Sequence, residues 1–364
     1  MAYTTIDDPS AYFQTTLYSS DGGGGSITVT NDGNSDLQPD WLWIKVRNDT
    51  NNHNTFDTSR GIANRLKPNT TDAEDGSSGV SVSSDGFATG TSLGDINNTS
   101  GANNYVAWQW KANGGTTTTN DASATSVGDT DSVYQVNSTA KFSIVGWTGS
   151  GSGSVNIAHG LGSTPKFILM TQRDGANSRL VYHHRNTAAD DPHDSFLKLN
   201  NNSASGADDN NYFMNNTAPT STVVTFGNGN EANQSGTYIG YFFDEVQGYS
   251  KFGSYTGNGN ADGPFVYTGF KPAFVIIKNT ADSADWTMWD TTRYPTNPQN
   301  IQLYPNLSNA EDSPSASTII DLLSNGFKLR GTNNKINGSS DKIIYMAFAE
   351  HPFVSSEGVP TTAR

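Results

Sequence analysis

Acidic and basic side chains recur in the chain at a fixed spacing, and these pairs are the first place to look for chemistry. Arg60 follows Asp57 by three residues, and Arg293 follows Asp290 by three residues. A carboxylate beside a guanidinium could bind or protonate a substrate, but a catalytic pair would not need to be present twice. Charges near a protein core are usually retained because they pair with each other. We therefore predict that both pairs are structural ion pairs.

Three histidines are the best candidates for metal ligands. His183, His184 and His193 lie in one polar region together with Asp190 and Asp191. Their spacing is neither that of a zinc finger nor that of a helical His-x-x-x-His site, and the chain contains no cysteine. We therefore predict that this region holds no metal and that the protein needs no cofactor.

The remaining carboxylates lack the arrangement that catalysis requires. Glycoside hydrolysis needs two carboxyl groups about 5 to 10 Å apart, and nothing in the sequence brings Asp244, Glu245 and Glu350 together. The chain also lacks a Gly-x-Ser-x-Gly nucleophile motif. We therefore predict that the protein is not an enzyme. Calcium bound by the Asp-rich turns at residues 129–131 and 208–210 stays an alternative, although no twelve-residue calcium loop is present.

A threefold internal repeat determines where these residues lie. Each copy contains a proline, a short apolar strand directly after it, and an aromatic residue 17 positions after the proline. Such periodicity indicates several similar units rather than one large domain. The three frames are Pro39 with Phe56, Pro165 with Tyr182, and Pro272 with Trp289. Each copy closes on an aromatic strand, which begins at Tyr105, Tyr238 or Tyr345.

Composition and length together predict an all-β protein. Hydrophobic residues make up 34% of the chain, charged residues 15%, and 37 residues are glycine. The polar majority is therefore Asn, Thr, Ser and Asp, which favour turns and strands over helix interiors. We predict three tandem β-sandwich repeats of jelly-roll-like form with very little helix, a helical turn being plausible only at residues 317–324. The predicted units are repeat 1 (residues 1–112), repeat 2 (139–247), repeat 3 (248–354) and a C-terminal tail (355–364).

The segment between repeats 1 and 2 is polar and of low complexity. Residues 113–138 include the run NGGTTTTNDASA, and no comparable segment separates repeats 2 and 3. We predict that this segment is a linker, so that repeats 2 and 3 dock rigidly while repeat 1 sits on a longer connection.

The formal net charge of −14 argues against two classes of partner. Proteins that bind nucleic acids or anionic membranes rely on basic patches, so neither partner is expected. No stretch is apolar for long enough to span a bilayer, and residues 1–8 have neither the basic start nor the apolar run of a secretory signal. We therefore expect synthesis in a cytoplasm and no membrane insertion.

The residue 14 positions after each frame proline differs from copy to copy and lies in a polar loop. It is His53, Arg179 or Trp286. Loops on a rigid β scaffold often carry binding sites because they vary without disturbing the core. Polar loop groups could bond sugar hydroxyls, and Trp286 or Tyr294 could stack on a sugar ring. We therefore predict that these four residues form a candidate recognition surface, with packing of Trp286 inside the fold as the alternative.

Long phrases of the sequence resemble a family of viral proteins. The chain is similar, over nearly its whole length, to virion structural and tail-fibre proteins of marine tailed bacteriophages, including cyanophages. The phrases that carry the resemblance are MAYTTIDDPSAYFQ at residues 1–14, DGNSDLQPDW at 32–41, YVAW at 105–108, YSKFGSYTGNG at 249–259 and DGPFVYTGF at 262–270.

The resemblance implies a virion surface protein that is made in the bacterial host. A tail or head fibre involved in host attachment is the favoured interpretation; such a fibre is expected to be a homotrimer that contacts other virion proteins and a host-surface glycan. A decoration or cement protein, which would cover the capsid or tail without binding a receptor, is the alternative. A polysaccharide-degrading tailspike is a weaker alternative.

Overall fold

The computed structural model describes residues 2–20, 22–76, 78–91, 93–98, 101–186, 191–207, 211–312 and 314–360. The prediction of an all-β fold is confirmed, because antiparallel sheets carry nearly all the regular structure. Within the described ranges the α-helices are α1 (Ala122–Thr125) and α2 (Asn334–Asn337), four residues each. No helix in this part of the chain has the length and apolarity needed to cross a membrane.

Repeat 1 is built from two antiparallel sheets that pack face to face. Its strands are β1 (Phe13–Ser19), β2 (Thr28–Val29), β3 (Trp41–Val46), β4 (Asn54–Asp57), β5 (Ser81–Ser83), β6 (Gly86–Ala88) and β7 (Asn104–Trp110), preceded by a 3-10 helix at Pro9–Ala11. The large sheet has the order β1-β7-β3-β4, and the small sheet has the order β2-β6-β5. Ile44 and Tyr105 of the large sheet are buried in one cluster with Phe87 of the small sheet.

Residues 113–138 are not a linker, contrary to the prediction. They contain β8 (Thr118–Asn120), α1 and β9 (Ser132–Asn137), and β9 pairs along its length with the first strand of repeat 2. The reason is that β-branched and aromatic residues recur through the sequence SVYQVN of β9, and such residues favour strands. The side chain of Gln135 also accepts a hydrogen bond from the backbone N–H of Asn113 and donates one to Thr58, each 2.9 Å long. The segment is therefore attached to both repeats.

Repeat 2 has the same two-sheet arrangement with a longer large sheet. Its strands are β10 (Phe142–Gly149), β11 (Val155–Ala158), β12 (Phe167–Gln172), β13 (Leu180–His183), β14 (Ser195–Lys198), β15 (Gly206–Ala207), β16 (Val223–Phe226) and β17 (Gly236–Phe243), with a 3-10 helix at Pro192–Asp194. The large sheet has the order β15-β14-β13-β12-β17-β10-β9-β8, and β11 pairs with β16 in the small sheet.

Repeat 3 returns to the arrangement of repeat 1. Its strands are β18 (Ser250–Thr256), β19 (Phe265–Tyr267), β20 (Phe270–Asn279), β21 (Thr287–Asp290), β22 (Ile320–Leu323), β23 (Gly326–Leu329) and β24 (Lys342–Pro352). The large sheet has the order β18-β24-β20-β21, and the small sheet has the order β19-β23-β22. The helical turn predicted at residues 317–324 is wrong, because Ile320 and Leu322 alternate into the core of a β22–β23 hairpin.

The proline frame corresponds to one strand pairing that occurs in all three repeats. The residue two positions after the proline pairs with the residue 18 positions after it: Trp41 with Asp57, Phe167 with His183, and Phe274 with Asp290. The aromatic residue at position 17 is then buried between the two sheets of its own repeat.

The closing strand of repeat 3 is shifted relative to the sequence landmark. In repeat 1, Val46, seven positions after Pro39, pairs with Tyr105. In repeat 3 the equivalent residue, Asn279, pairs with Ile343 and not with Tyr345. Irregular pairing around Pro272 accompanies this two-residue offset. A proline inside a strand cannot donate a ladder hydrogen bond and is accommodated at such bulges.

The three large sheets pack against one another around a common core. Each sheet buries one face against the small sheet of its own repeat and the other face in this core. The closing strands supply three layers with one residue per repeat: Val106, Ile239 and Ile344; Trp108, Tyr241 and Met346; and Trp110, Phe243 and Phe348. The members of each layer pair with equivalent frame positions. The repeats are therefore related by approximate threefold symmetry within one chain.

Repeat 1 is a full member of this arrangement, contrary to the prediction of a loosely connected unit. Trp41 of repeat 1 stacks on Tyr241 of repeat 2 with ring centroids 4.3 Å apart. Phe13 stacks on Phe348 of repeat 3 at 5.1 Å. A detached repeat 1 would expose a second apolar sheet face, which soluble proteins avoid. Packing of the three repeats removes that exposure.

Candidate functional site

The same backbone contact joins neighbouring repeats three times. In each case the N–H of a loop residue donates to the carbonyl eight positions after the frame proline of the next repeat. The three bonds run from Glu74 to Arg173 (2.7 Å), from Ser205 to Thr280 (2.9 Å) and from Glu311 to Arg47 (2.7 Å). Repeat 1 thus contacts repeat 2, repeat 2 contacts repeat 3, and repeat 3 contacts repeat 1. The contacts form a closed cyclic ring.

Glu74 binds two arginines where repeat 1 meets repeat 2. Its carboxylate lies 2.6 Å from Arg60 and 2.7 Å from Arg173. Arg60 is also paired at 2.5 Å with Asp57, and both of these side chains are almost completely buried. Asp57 accepts a further hydrogen bond of 2.7 Å from the hydroxyl of Tyr241 in repeat 2. Although burial alone would raise the pKa of Glu74, hydrogen bonds and charge from the two arginines hold that pKa below its usual value.

The contact between repeats 3 and 1 has the same arrangement. Glu311 lies 3.0 Å from Arg293 and 2.8 Å from Arg47. Arg293 pairs at 2.5 Å with Asp290, which accepts a hydrogen bond of 3.2 Å from the indole N–H of Trp108 in repeat 1. Burial opposes ionisation of Glu311, but the charge of Arg293 and the hydrogen bond from Arg47 lower its pKa overall. Both Asp–Arg pairs therefore lie inside charge networks that join repeats.

The contact between repeats 2 and 3 uses uncharged groups at the same positions. Asn186 replaces the arginine and donates a 2.9 Å hydrogen bond to Ser205, which replaces the glutamate. His183 replaces the aspartate, and its Nε2 lies 3.1 Å from the carbonyl oxygen of Tyr345 in repeat 3. Burial lowers the pKa of His183 to about 3, so the imidazole is neutral near pH 7. The side chain of His183 therefore takes part in the contact between repeats 2 and 3.

The candidate recognition residues at position 14 are buried at the same three contacts. His53, Arg179 and Trp286 are 0%, 2% and 3% exposed, so the prediction that they face solvent is wrong. Each side chain binds a backbone carbonyl of the neighbouring repeat: His53 that of Tyr304 (3.0 Å), Arg179 that of Lys67 (3.2 Å) and Trp286 that of Lys198 (3.0 Å). The position varies because each contact presents a different neighbour. Trp286 thus packs inside the protein, as in the alternative interpretation.

Tyr294, the fourth candidate recognition residue, belongs to the charge network of repeat 3. It is half-buried, and its hydroxyl donates a 3.1 Å hydrogen bond to Glu311. The guanidinium of Arg47 lies 5.9 Å from the centre of its ring. Tyr294 therefore supports the contact between repeats 3 and 1.

The three histidines considered as metal ligands do not form one cluster, although the ring centroids of His183 and His184 are 5.4 Å apart. His184 binds the carbonyl oxygen of Phe252 through Nε2 at 2.6 Å, whereas His193 lies on the surface with Asp191 and Asp194. The ligand atoms of these last three residues are within 4.8 Å of one another. Such exposed groups are commonly solvated, and this geometry alone does not define a metal site. Asp190 and the Asp-rich turn at residues 208–210 lie outside the described residues.

Two sizeable surface cavities lie at the boundaries between repeats. One, of about 380 Å³, lies between repeats 1 and 2 and is lined by Arg60, Arg173 and the exposed side chain of Val133, among others. The second, of about 430 Å³, lies between repeats 2 and 3 and the N-terminal segment. Its lining includes Tyr3, Lys166, Glu245, Lys251 and Tyr267.

The second cavity contains a carboxylate that binds two lysines. Glu245 lies 2.9 Å from the ammonium group of Lys166 and 3.1 Å from that of Lys251. Burial would raise the pKa of Glu245, but these lysines and the backbone N–H of Phe252 lower it overall. Glu350, considered with Glu245 as a possible catalytic carboxylate, is instead paired with Lys271. The sequence did not indicate this cavity, because its walls come from three separate segments.

One known protein family matches the chain over almost the whole of this architecture. The fold and contacts define a single-chain, all-β protein with three repeats in a closed ring. Residues 8–352 match a family described as a domain of unknown function, DUF7483. The chain therefore belongs to this family, and the match extends over all three repeats. No curated protein matches the chain.

Proposed function

We propose that the protein is a structural component of the bacteriophage virion surface and takes part in host attachment as part of a tail or surface fibre. The resemblance of its long sequence phrases to virion and tail-fibre proteins supports this function. The structural observation that carries the proposal is the closed ring, in which each large sheet is buried on both faces. Such a body is rigid and presents its small sheets and loops outward, which suits a recognition scaffold.

The ring also bears on how the protein would assemble in a particle. A fibre commonly obtains threefold symmetry from three chains, and here three repeats of one chain supply a similar arrangement. The apolar sheet faces that three separate chains would bury against each other are here buried within one chain, where Trp110, Phe243 and Phe348 belong to one cluster. A single chain of this form is suited to sit on the axis of a trimeric virion protein. A homotrimer of the protein stays a prediction.

A decoration or cement role is the second candidate. It is favoured by the same internal coverage of the apolar faces, because a self-contained unit can bind a capsid or tail surface without copies of itself. In that role one outer face would be buried on the particle, and no receptor would be bound.

The test combines location with attachment. Gold-labelled antibodies against the protein would be applied to purified phage particles, and the purified protein would be added to host cells before infection. The proposal predicts label on tail or surface fibres and reduced phage adsorption. Label over the shell with unchanged adsorption would replace the fibre role with the decoration role. Absence of the protein from particles would overturn both.

A further inference from the structure

We propose that the cavity between repeats 2 and 3 binds a neutral saccharide through the ring of Tyr267 and the polar groups of Tyr3, Lys166, Glu245 and Lys251. The proposal rests on the proposed function only for the source of the saccharide, the host surface. The site itself is inferred from its size, from the exposed ring of Tyr267 and from its charges.

The cavity has the size of a small-molecule site. Its volume of about 430 Å³ lies within the range of roughly 300 to 1,000 Å³ typical of ligand pockets. Its walls come from the N-terminal segment, repeat 2 and the first strands of repeat 3. Ligand sites commonly form at such boundaries, where side chains from separate segments converge.

Strand β19 presents two aromatic rings to solvent, and one of them, that of Tyr267, lines this cavity. Along the strand, Val266 points into the core, whereas Phe265 and Tyr267 are 45% and 53% exposed. Large exposed aromatic side chains on a polar protein often mark a binding surface. A tyrosine ring can pack on the apolar face of a sugar while its hydroxyl bonds a polar group.

The fold itself does not require these aromatic residues. Val29 pairs with Phe87 in repeat 1 as Val266 pairs with Phe327 in repeat 3. The residues that flank Val29 are Thr28 and Thr30, where repeat 3 has Phe265 and Tyr267. The same sheet therefore forms with threonine at these positions. Tyr267, which lines the cavity, is therefore an addition of repeat 3, and contact with a ligand would account for it.

Hydrogen bonds of Tyr3 hold the ring of Tyr267 in place at the cavity. The hydroxyl of Tyr3 donates to the carbonyl oxygen of Gly269 at 2.8 Å, and it lies 3.0 Å from the hydroxyl of Tyr267. Burial and the hydrogen bond with Tyr267 raise the pKa of Tyr3 to about 12, so this hydroxyl keeps its proton near neutral pH. A ring fixed in this way loses little conformational entropy when a ligand packs on it.

The lysines and Glu245 offer the donors and acceptors that sugar hydroxyls need. The side chains of Lys166 and Lys251 are 33% and 38% exposed while they bind Glu245. An ammonium group has three N–H donors, and a carboxylate has several acceptor positions. Because a sugar hydroxyl can both donate and accept, groups of both kinds can bind adjacent hydroxyls of one ring.

The charges of the cavity favour a neutral ligand. Lys166 lies 3.5 Å from Asp244 and 2.9 Å from Glu245, so the charges of Lys166 and Lys251 are balanced by two carboxylates. The whole chain carries a formal charge of −14, which repels acidic polysaccharides. A saccharide without carboxylate, sulfate or phosphate groups therefore fits best.

The test is a binding measurement on the full-length protein. Probes are neutral oligosaccharides of glucose, galactose and mannose units, and oligogalacturonate serves as the acidic probe. Wild-type protein should bind at least one neutral probe, Tyr267→Ala should lower its affinity at least tenfold, and Tyr267→Phe should lower it less because the ring remains. Val133→Ala, which alters the cavity between repeats 1 and 2, should bind as wild type does.

Three outcomes would overturn the inference. They are binding of no neutral probe, equal affinity of wild type and Tyr267→Ala, or binding of the acidic probe alone. Because Tyr267 is more than half exposed, the Ala variant should fold normally, and circular dichroism checks this. If antibodies label the fibres but the protein binds no saccharide, the proposed function holds and this inference fails. If the protein binds a saccharide but is absent from particles, this inference holds and the proposed function fails.

Discussion

Glu311 of the third repeat and Arg47 of the first are joined by two hydrogen bonds although 264 residues separate them. One is a backbone bond of 2.7 Å, and the other is an ion pair of 2.8 Å. The equivalent contacts of repeat 1 with repeat 2 and of repeat 2 with repeat 3 join neighbours in the chain. The contact between Glu311 and Arg47 therefore distinguishes a closed ring from a row of independent sandwiches.

Removal of the buried carboxylate of Asp290 should strongly destabilise the protein. Asp290→Ala leaves the Nε–H of Arg293 and the indole N–H of Trp108 without their acceptor, while Glu311 stays paired with the same guanidinium. Each buried donor left without an acceptor costs about 1–3 kcal/mol, and more where the donor is charged, which should lower the melting temperature by several degrees. The matched control is Asp262→Ala, whose partner is Lys328 and whose side chain is 90% exposed. Equal melting temperatures of the two variants would contradict the structural role, as would a stable Asp290→Ala protein that fails to attach to host cells.

Substitution of Trp286 should affect stability and not recognition. Trp286→Ala removes a core residue and should lower the free energy of unfolding by about 3–5 kcal/mol. Trp286→Phe keeps most of the apolar contact but leaves the carbonyl of Lys198 without the indole donor, so a smaller loss of about 1–3 kcal/mol is expected. Urea unfolding measures both values. Saccharide binding by folded Trp286→Phe should equal that of wild type, and weaker binding would return Trp286 to the recognition site.

Mild acid should destabilise the protein through buried histidines. Burial lowers the pKa of His183 to about 3 and that of His159 to about 4, and it holds the pKa of His53 well below its usual value. In the unfolded chain these groups bind protons below about pH 6.5. The unfolded state therefore binds more protons than the folded state between about pH 6.5 and 4, so stability falls as the pH falls through this window.

Urea unfolding midpoints at pH 7, 6 and 5 check this prediction. His183→Asn, which removes one buried imidazole, should reduce the dependence on pH. His351→Asn serves as the matched control, because it removes an imidazole whose side chain is 49% exposed. The pKa values of Glu74 and Glu311 are lowered from about 4.5, so the stability that these ionised carboxylates contribute is lost only at a pH below this window. A constant midpoint from pH 7 to 5 would contradict the account.

The class of fold could be predicted because its signals are local. Pro39 and the apolar run after it specify a strand that is buried on both faces, and the aromatic residue Phe56 specifies its partner strand. The same run could not reveal what covers the second face, since that depends on residues of two other repeats. Ring closure through Glu311 and Arg47 therefore could not be predicted from single segments of the sequence.

The errors in the predicted elements have physical causes as well. Residues 317–324 place apolar side chains at spacings that suit either a helical turn or a strand. Ser324 and Asn325 form the two-residue turn of a hairpin in which Leu323 pairs with Gly326. Residues 113–138 are polar but contain Val133 and Val136, which extend the sheet of repeat 2. Polarity alone did not separate a linker from the outer strands of a sheet.

The candidate site was misplaced because variation between repeats has two possible causes. His53, Arg179 and Trp286 vary because their neighbours differ, which only the assembled ring reveals. A usable signal was present in β19, where Phe265 and Tyr267 replace the threonines of repeat 1. Their exposure, and the proximity of Tyr3, depend on the folded structure.

Disulfide trapping at Arg47 and Glu311 tests the closed ring most directly, because the chain has no cysteine of its own. The backbone hydrogen bond between these residues brings their Cα atoms close to disulfide range. Oxidised Arg47→Cys/Glu311→Cys protein should run as a single chain with faster mobility on a non-reducing gel. The control Arg47→Cys/Glu74→Cys, in which Glu74 belongs to the contact with Arg173, should not cross-link. Failure of the first pair to cross-link, or its conversion into linked multimers, would contradict a ring formed within one chain.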